Sequence, residues 1–147
     1  MIYIGAENII SPLGDTAQAN FEQVLAGKSA LKSSSKFSSP HGVISSYTQI
    51  EGMTKLESLL VQSLNASIAD SNIDLSQGRN LVMLSTTKGD IVHLENNDLA
   101  AAKPSRLLQR VMDHLGWNTE QSVISSACIS GILACIHGHD LIKQGMY

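Results

Sequence analysis

Two short apolar runs, NLVMLSTT (80–87) and QSVISS (121–126), set the strongest limit on what this chain can fold into. The first is continuous rather than alternating, the pattern of a strand covered on both faces, and the second reads as a short buried strand. Between them, Pro104 fits the first turn of a helix. Leu107, Leu108, Val111, Met112 and Leu115 line one side of that helix, and Gly116 stops it. Strands alternating with helices in this way point to an α/β fold: a mixed, largely parallel sheet covered by helices.

The rest of the chain continues the alternation. Residues 2–10 are a strand candidate, closed by a turn at Pro12 and Gly14. Asp15 is placed to cap the next helix with Gln18 at the capping-box position; Phe21, Val24 and Leu25 supply its buried stripe, and Gly27 ends it. Residues 28–42 are serine-rich and read as loop, because serine hydroxyls compete for backbone hydrogen bonds. Residues 42–50 have strand propensity. Thr54 and Glu57 form a T-x-x-E capping box, and Leu56, Leu59, Leu60, Leu64 and Ile68 carry that helix to about Ser71. Residues 72–80 are turn material, 88–103 are irregular with a short helix around 91–101, and the last helix runs over 128–144.

With 147 residues, 43% of them hydrophobic, the chain has enough material for one ordinary core, taken here as a single domain over 1–147. Charged residues at 16% and aromatics at 4% suit elements covered on most sides. A net charge of −3 gives no electrostatic case for nucleic acid. No apolar run approaches the roughly 20 residues of a membrane span. MIYIGAENII lacks the charged start of a signal peptide, so the expected location is cytoplasmic.

Cys128 and Cys135 would be separated on one helix by a rise of about 10.5 Å, beyond the roughly 7 Å that a disulfide allows. Both are read as free thiols. The helix that carries them is apolar nearly all round, through Ile129, Ile132, Leu133, Ile136, Leu141 and Ile142, and so belongs inside a protein. Ser130, Gly131, Ala134, Cys135 and Gly138 are small enough for another backbone to pack close to it. Cys128 lies where the strand hands over to this helix, at an end rich in unpaired N–H groups, its own included. Those groups favour a thiolate and can support an oxyanion when the sulfur attacks a carbonyl. The geometry resembles the nucleophile elbow of serine hydrolases. The plainer alternative, a small buried hydrophobe, is the reading adopted for Cys135.

SSACISG resembles the active-site signature of the β-ketoacyl-acyl-carrier-protein synthases, with Ser126, Ala127, Cys128, Ser130 and Gly131 in the family's places. YIGAENIISPLGDTAQANFEQVLAGKSAL is similar to the family's opening strand, turn and helix end, NLVMLSTTKG to the strand ahead of the active site, and HDLIKQG to the end of the cysteine helix. The resemblance implies the N-terminal half of a thiolase-like fold, with a buried central helix following the cysteine. It implies that Cys128 forms an acyl thioester and condenses it with a malonyl group by decarboxylative Claisen chemistry, in fatty acid or polyketide biosynthesis. Both groups arrive on the phosphopantetheine arm of acyl carrier protein, and no cofactor or metal is bound.

Family members are more than twice this length, and their second half carries two catalytic histidines and a lysine. The resemblance therefore implies a need for a missing C-terminal half or a complementary chain, and a homo- or heterodimer. His41, His93, His114, His137 and His139 match none of the catalytic positions. On a helix with Cys128, His137 and His139 are about 13.5 and 16.5 Å of rise away. Cys135 and His139 are two ligands without a third, so no metal is expected. The segment from Gly89 to Cys128 is shorter than in typical members, and Ile129 is bulkier than the usual residue and would narrow an acyl channel.

Carrier proteins are usually acidic, and Lys103, Arg106 and Arg110 fall on one side of the helix starting near Pro104, as a docking patch or as a solvated face. A second functional reading is a non-catalytic partner subunit of the chain-length-factor type, against which Cys128 itself argues. TTKGD (86–90) lacks the spacing of a phosphate loop and reads as a strand-to-loop turn that needs Gly89 for its backbone angle.

Overall fold

The computed structural model describes residues 1–35, 37–71, 73–75 and 79–147, and is of mixed α/β class. It divides into two units, one of Ile4–Asn72 and one of Met1–Tyr3 with Ile73–Tyr147.

The Ile4–Asn72 unit contains α1 (Ala17–Leu25), β1 (Lys32–Ser34), β2 (Phe37–His41) and α2 (Lys55–Ala69). Thr16, not Asp15, caps α1: its backbone is extended and its hydroxyl accepts from the Ala19 N–H at 3.1 Å. Gln18, freed from capping, donates to Glu22 one turn on at 2.7 Å. The expected buried stripe is turned to solvent, with Phe21, Val24 and Leu25 at 59%, 61% and 71% exposure. Asn20 is buried instead. Its amide donates to the carbonyls of Ile9, Gly14 and Thr16 at 3.0, 3.0 and 2.7 Å, and its oxygen accepts from the Ser11 hydroxyl. Hydrogen bonding to the turn ahead of α1, rather than apolar burial, fixes which face of the helix points inward.

Two strand expectations and one loop expectation fail over residues 2–50. Residues 2–10 form no strand, since no described segment offers them a ladder, and the Ser11–Gly14 bridge closes the turn after them. Residues 28–42, read as loop, contain the antiparallel pair β1–β2, with Lys32 opposite His41 and Ser34 opposite Phe37. Backbone pairing needs no apolar side chain, and Pro40 is tolerated where the strand is an edge. Residues 42–50 form no strand because side chains of α2 take the partner's place. Gln62 accepts from the Thr48 N–H at 3.1 Å and donates to the Thr48 carbonyl at 2.8 Å, while the Ser58 hydroxyl accepts from the Ile50 N–H at 3.1 Å. The capping box of α2 forms as expected: Thr54 accepts from the Glu57 N–H at 3.3 Å and Glu57 from the Thr54 N–H at 2.7 Å.

The other unit contains β3 (Leu81–Ser85), α3 (Val92–Glu95), α4 (Pro104–Leu115), β4 (Glu120–Ile124) and α5 (Ser130–Lys143). β3 and β4 pair in parallel from Leu81 opposite Glu120 to Ser85 opposite Ile124. The crossover between them is α4, which packs on β4 and buries Leu107, Leu108, Val111 and Met112. Gly116, at φ 68°, ends α4 in a left-handed residue, with the Trp117 N–H reaching back to the Met112 carbonyl at 3.2 Å. Of the 72–80 turn, Asn72 and residues 76–78 lie outside the described residues.

α5 rests on both strands through its glycines. A Cβ on Gly138 would come 2.9 Å from Met83 Cε, and one on Gly131 would come 3.9 Å from Ser85 Oγ. The expectation of a helix buried all round is not met: Ile129, Ile132 and Ile136 are 51%, 67% and 52% exposed. A two-stranded sheet covers only the glycine side of α5. No described helix is long and apolar enough to cross a membrane.

The end of the chain is tied down by polar contacts. Arg79 donates to the Gly145 carbonyl, and the Tyr147 hydroxyl donates to the Glu120 carboxylate. That hydrogen bond, followed by desolvation and the Glu120 charge, raises the phenol above its ordinary value of 10.0, against the opposing charge of Arg79.

Leu107→Ala is expected to cost about 2–5 kcal/mol in urea unfolding, against no more than about 0.5 kcal/mol for Ile132→Ala. Comparable losses would show that α4 does not carry the core. A phenol with a raised native pKa stabilises the fold fully below the unfolded value of 10.0 and loses that contribution as pH rises through the native one. An alkaline difference titration at the tyrosinate band should therefore show a late-titrating phenol, and Tyr147→Phe should remove that phase.

Candidate active site at the start of the last helix

The chain leaves β4 at Ile124 and turns sharply before α5. Ala127 holds φ at +49°, a left-handed conformation strained for a residue with a Cβ. The Ile129 N–H donates to the Ser126 carbonyl at 3.2 Å and the Ser130 N–H to the Ala127 carbonyl at 3.3 Å. Ser130 is buried, and its hydroxyl works in both directions: it accepts from the Ser126 N–H at 2.8 Å and donates to the Ala127 carbonyl at 2.8 Å. One side chain thus ties the start of α5 to the segment before Cys128.

This geometry moves the helix start from 128 to Ser130, with Ile129 as its cap residue. Ala127 cannot be helical at positive φ, so Cys128 projects from the turn, two residues before the first helical one. It is exposed. Its N–H donates to no acceptor among the described residues, whereas those of Ile129 and Ser130 are taken by the turn. The Cys128 N–H is thus a backbone donor that the turn itself leaves unused. Cys135, expected to be buried, is exposed as well, because it lies on the part of α5 that the sheet leaves uncovered.

The thiol stands at the carboxyl end of a parallel pair. The Thr86 N–H donates to the Ile124 carbonyl at 3.1 Å, continuing the ladder past β3, and Gly131 sets the start of α5 near Ser85. Ligands of open α/β sheets bind at such ends. The TTKGD turn is closed by Thr86, whose hydroxyl accepts from the Lys88 N–H at 3.2 Å. Gly89 is required there for space rather than for its backbone angle, since it has no positive φ and a Cβ would fall 1.6 Å from the Ala102 carbonyl oxygen.

No described side chain hydrogen-bonds to the Cys128 sulfur. His139 pairs with Asp140 at 3.1 Å. His93 lies 3.1 Å from an Arg110 nitrogen and 3.8 Å from the buried Asp90 carboxylate. This D-x-x-H pair, one helical turn apart, and the Ser130 lock went unnoticed in the sequence; serine four residues after Ser126 was the available signal.

The three cations considered for docking do not make a purely basic patch. Lys103 and Arg106 are exposed, but Arg110 is half-buried and donates to the Ala101 carbonyl at 3.2 Å. An open cavity of about 340 Å³ places Arg106 and Arg110 with Asp98 and Asp113, two charges of each sign.

No protein-family model matches the chain, and no curated protein matches it significantly.

Alkylation of the folded protein with iodoacetamide, followed by peptide mass spectrometry, is expected to modify Cys128 ahead of Cys135. Both thiols reach solvent, so equal rates would mean that the turn confers no special reactivity on Cys128.

Proposed function

We propose that this chain carries the nucleophile-bearing part of a β-ketoacyl-acyl-carrier-protein synthase of thiolase-like fold, acting in fatty acid or polyketide synthesis. The observation that carries the reading is an exposed thiol whose own N–H is unspent, on a strained turn locked by Ser130 at the carboxyl ends of two parallel strands. The motif resemblance around Ser126, Ala127, Cys128, Ser130 and Gly131 supports it.

In this mechanism the Cys128 sulfur attacks the carbonyl carbon of an acyl thioester borne by acyl carrier protein. A carbon–sulfur bond forms, and the carbonyl oxygen takes up negative charge within reach of the Cys128 N–H. Collapse expels the pantetheine sulfur, which takes the proton lost by Cys128 and leaves an acyl-cysteine. Loss of carbon dioxide from a malonyl thioester then requires donors to the enolate oxygen. None of the imidazoles described above is hydrogen-bonded at the thiol, so those donors are assigned to a further polypeptide segment. The exposed Ile129, Ile132 and Ile136 support such a covering segment over α5. Lys103 and Arg106 remain the cations available to an acidic carrier.

That no described side chain hydrogen-bonds to the Cys128 sulfur favours a second reading, a non-catalytic partner subunit, and one experiment separates the two. Incubation with an acyl N-acetylcysteamine thioester is expected to add a single acyl group to Cys128, lost in Cys128→Ala and kept in Cys135→Ala. No carbon dioxide should be released from a malonyl thioester by this chain alone. Acylation spread equally over both cysteines, or absent even when a complementary chain is supplied, would leave the accessory reading in place of the catalytic one.

A further inference from the structure

In the Ile4–Asn72 unit, the Pro12 turn, the end of α1 and the β1–β2 pair surround an open cavity of about 420 Å³. Cavities that hold small ligands run from about 300 to 1,000 Å³. Its charge is one-sided. Lys28 and Lys32 line it, the His41 ring adds a further nitrogen group, and no aspartate or glutamate among the described residues takes part. Neither lysine is in an ion pair among the described residues, although the chain as a whole has a net charge of −3.

The neutral polar groups are suited to the same sign of ligand. Ser29, Ser33 and Ser45 bring three hydroxyls to the cavity. The Ser29 oxygen already accepts from the Leu31 N–H at 3.2 Å, which leaves its own proton to donate. The carbonyls at the end of α1 would repel an anion, but those of Val24 and Gln23 are occupied by the Gly27 and Lys28 N–H groups, each at 3.0 Å. Pro12, Leu13 and Val43 form an apolar wall, and Gly42 lets the chain leaving β2 pack against Pro12.

We propose that this cavity binds a small organic phosphate monoester. Such a group carries a charge of about −1.5 to −2 at neutral pH and three acceptor oxygens, matching two ammonium groups and the surrounding hydroxyls. A carboxylate, with one charge and two oxygens, leaves more of these donors unused. The apolar wall receives the organic part. The proposal is independent of the Cys128 chemistry, since it uses none of the same residues.

Isothermal titration of the whole protein at fixed ionic strength tests it, with phenyl phosphate as the probe and inorganic phosphate and benzoate alongside. Phenyl phosphate is expected to bind saturably and more tightly than inorganic phosphate, with benzoate weakest. Lys28→Gln and Lys32→Gln should each weaken phenyl phosphate by roughly fivefold, the worth of one exposed charge pair. Val43→Glu, which puts a carboxylate on the apolar wall, should abolish it. All three positions are exposed, and circular dichroism would confirm that the variants fold. Benzoate binding as tightly as phenyl phosphate, phenyl phosphate binding unchanged in the two lysine variants, or no saturable binding would each overturn the proposal.

Discussion

Two adjacent parallel strands cannot be joined by a tight turn, so the β3–β4 ladder exists only because α4 returns the chain and seals against β4. Leu107, Leu108, Val111 and Met112 make that seal and, with Val61, are the buried apolar side chains among the described residues. The consequence is positional. Both strands end at the same level, and the chain leaving β4 meets the start of α5 beside Ser85 and Thr86. The exposed thiol is a product of that convergence, and its setting would not survive loss of the crossover.

The Ile4–Asn72 unit is built on a different principle. Of its buried side chains among the described residues, only Val61 is apolar; Asn20, Glu57 and Ser58 are polar and hydrogen-bonded. Carboxamides act here as substitutes for backbone. Asn20 gathers three carbonyls, and Gln62 gives Thr48 the donor and acceptor that a neighbouring strand would have supplied. Such bonds fix geometry firmly but contribute only about 0.5–1.5 kcal/mol each, because water offers the same partners in the unfolded chain.

That contrast explains what could be read in advance. α4 announces itself because Pro104, its apolar stripe and Gly116 all report on one local element. The same holds for the capping box at Thr54 and Glu57, and for the run that became β3. Strands at 2–10 and 42–50 were expected from apolar, β-branched composition, which says nothing about whether a neighbour with free hydrogen-bonding groups will be there. The stripe of Phe21, Val24 and Leu25 misled for a related reason, since one buried asparagine outweighed three apolar residues in orienting α1. At the candidate site, Cys128 was legible from its place between strand and helix. The left-handed Ala127 and the unspent N–H of Cys128 were not, because both follow from how the Ser130 hydroxyl is shared.

Sharing that hydroxyl also gives the site a mechanical property. Ser130 is the first residue of α5, yet both of its side-chain bonds go to the segment before Cys128. Helix and turn are thereby stitched into one rigid piece, with the sulfur carried between the two anchor points. A twist or slide of α5, such as a body resting on its isoleucine side would impose, is transmitted to the thiol rather than absorbed by a loose hinge. The reach of the sulfur is in this sense set from the far face of the helix.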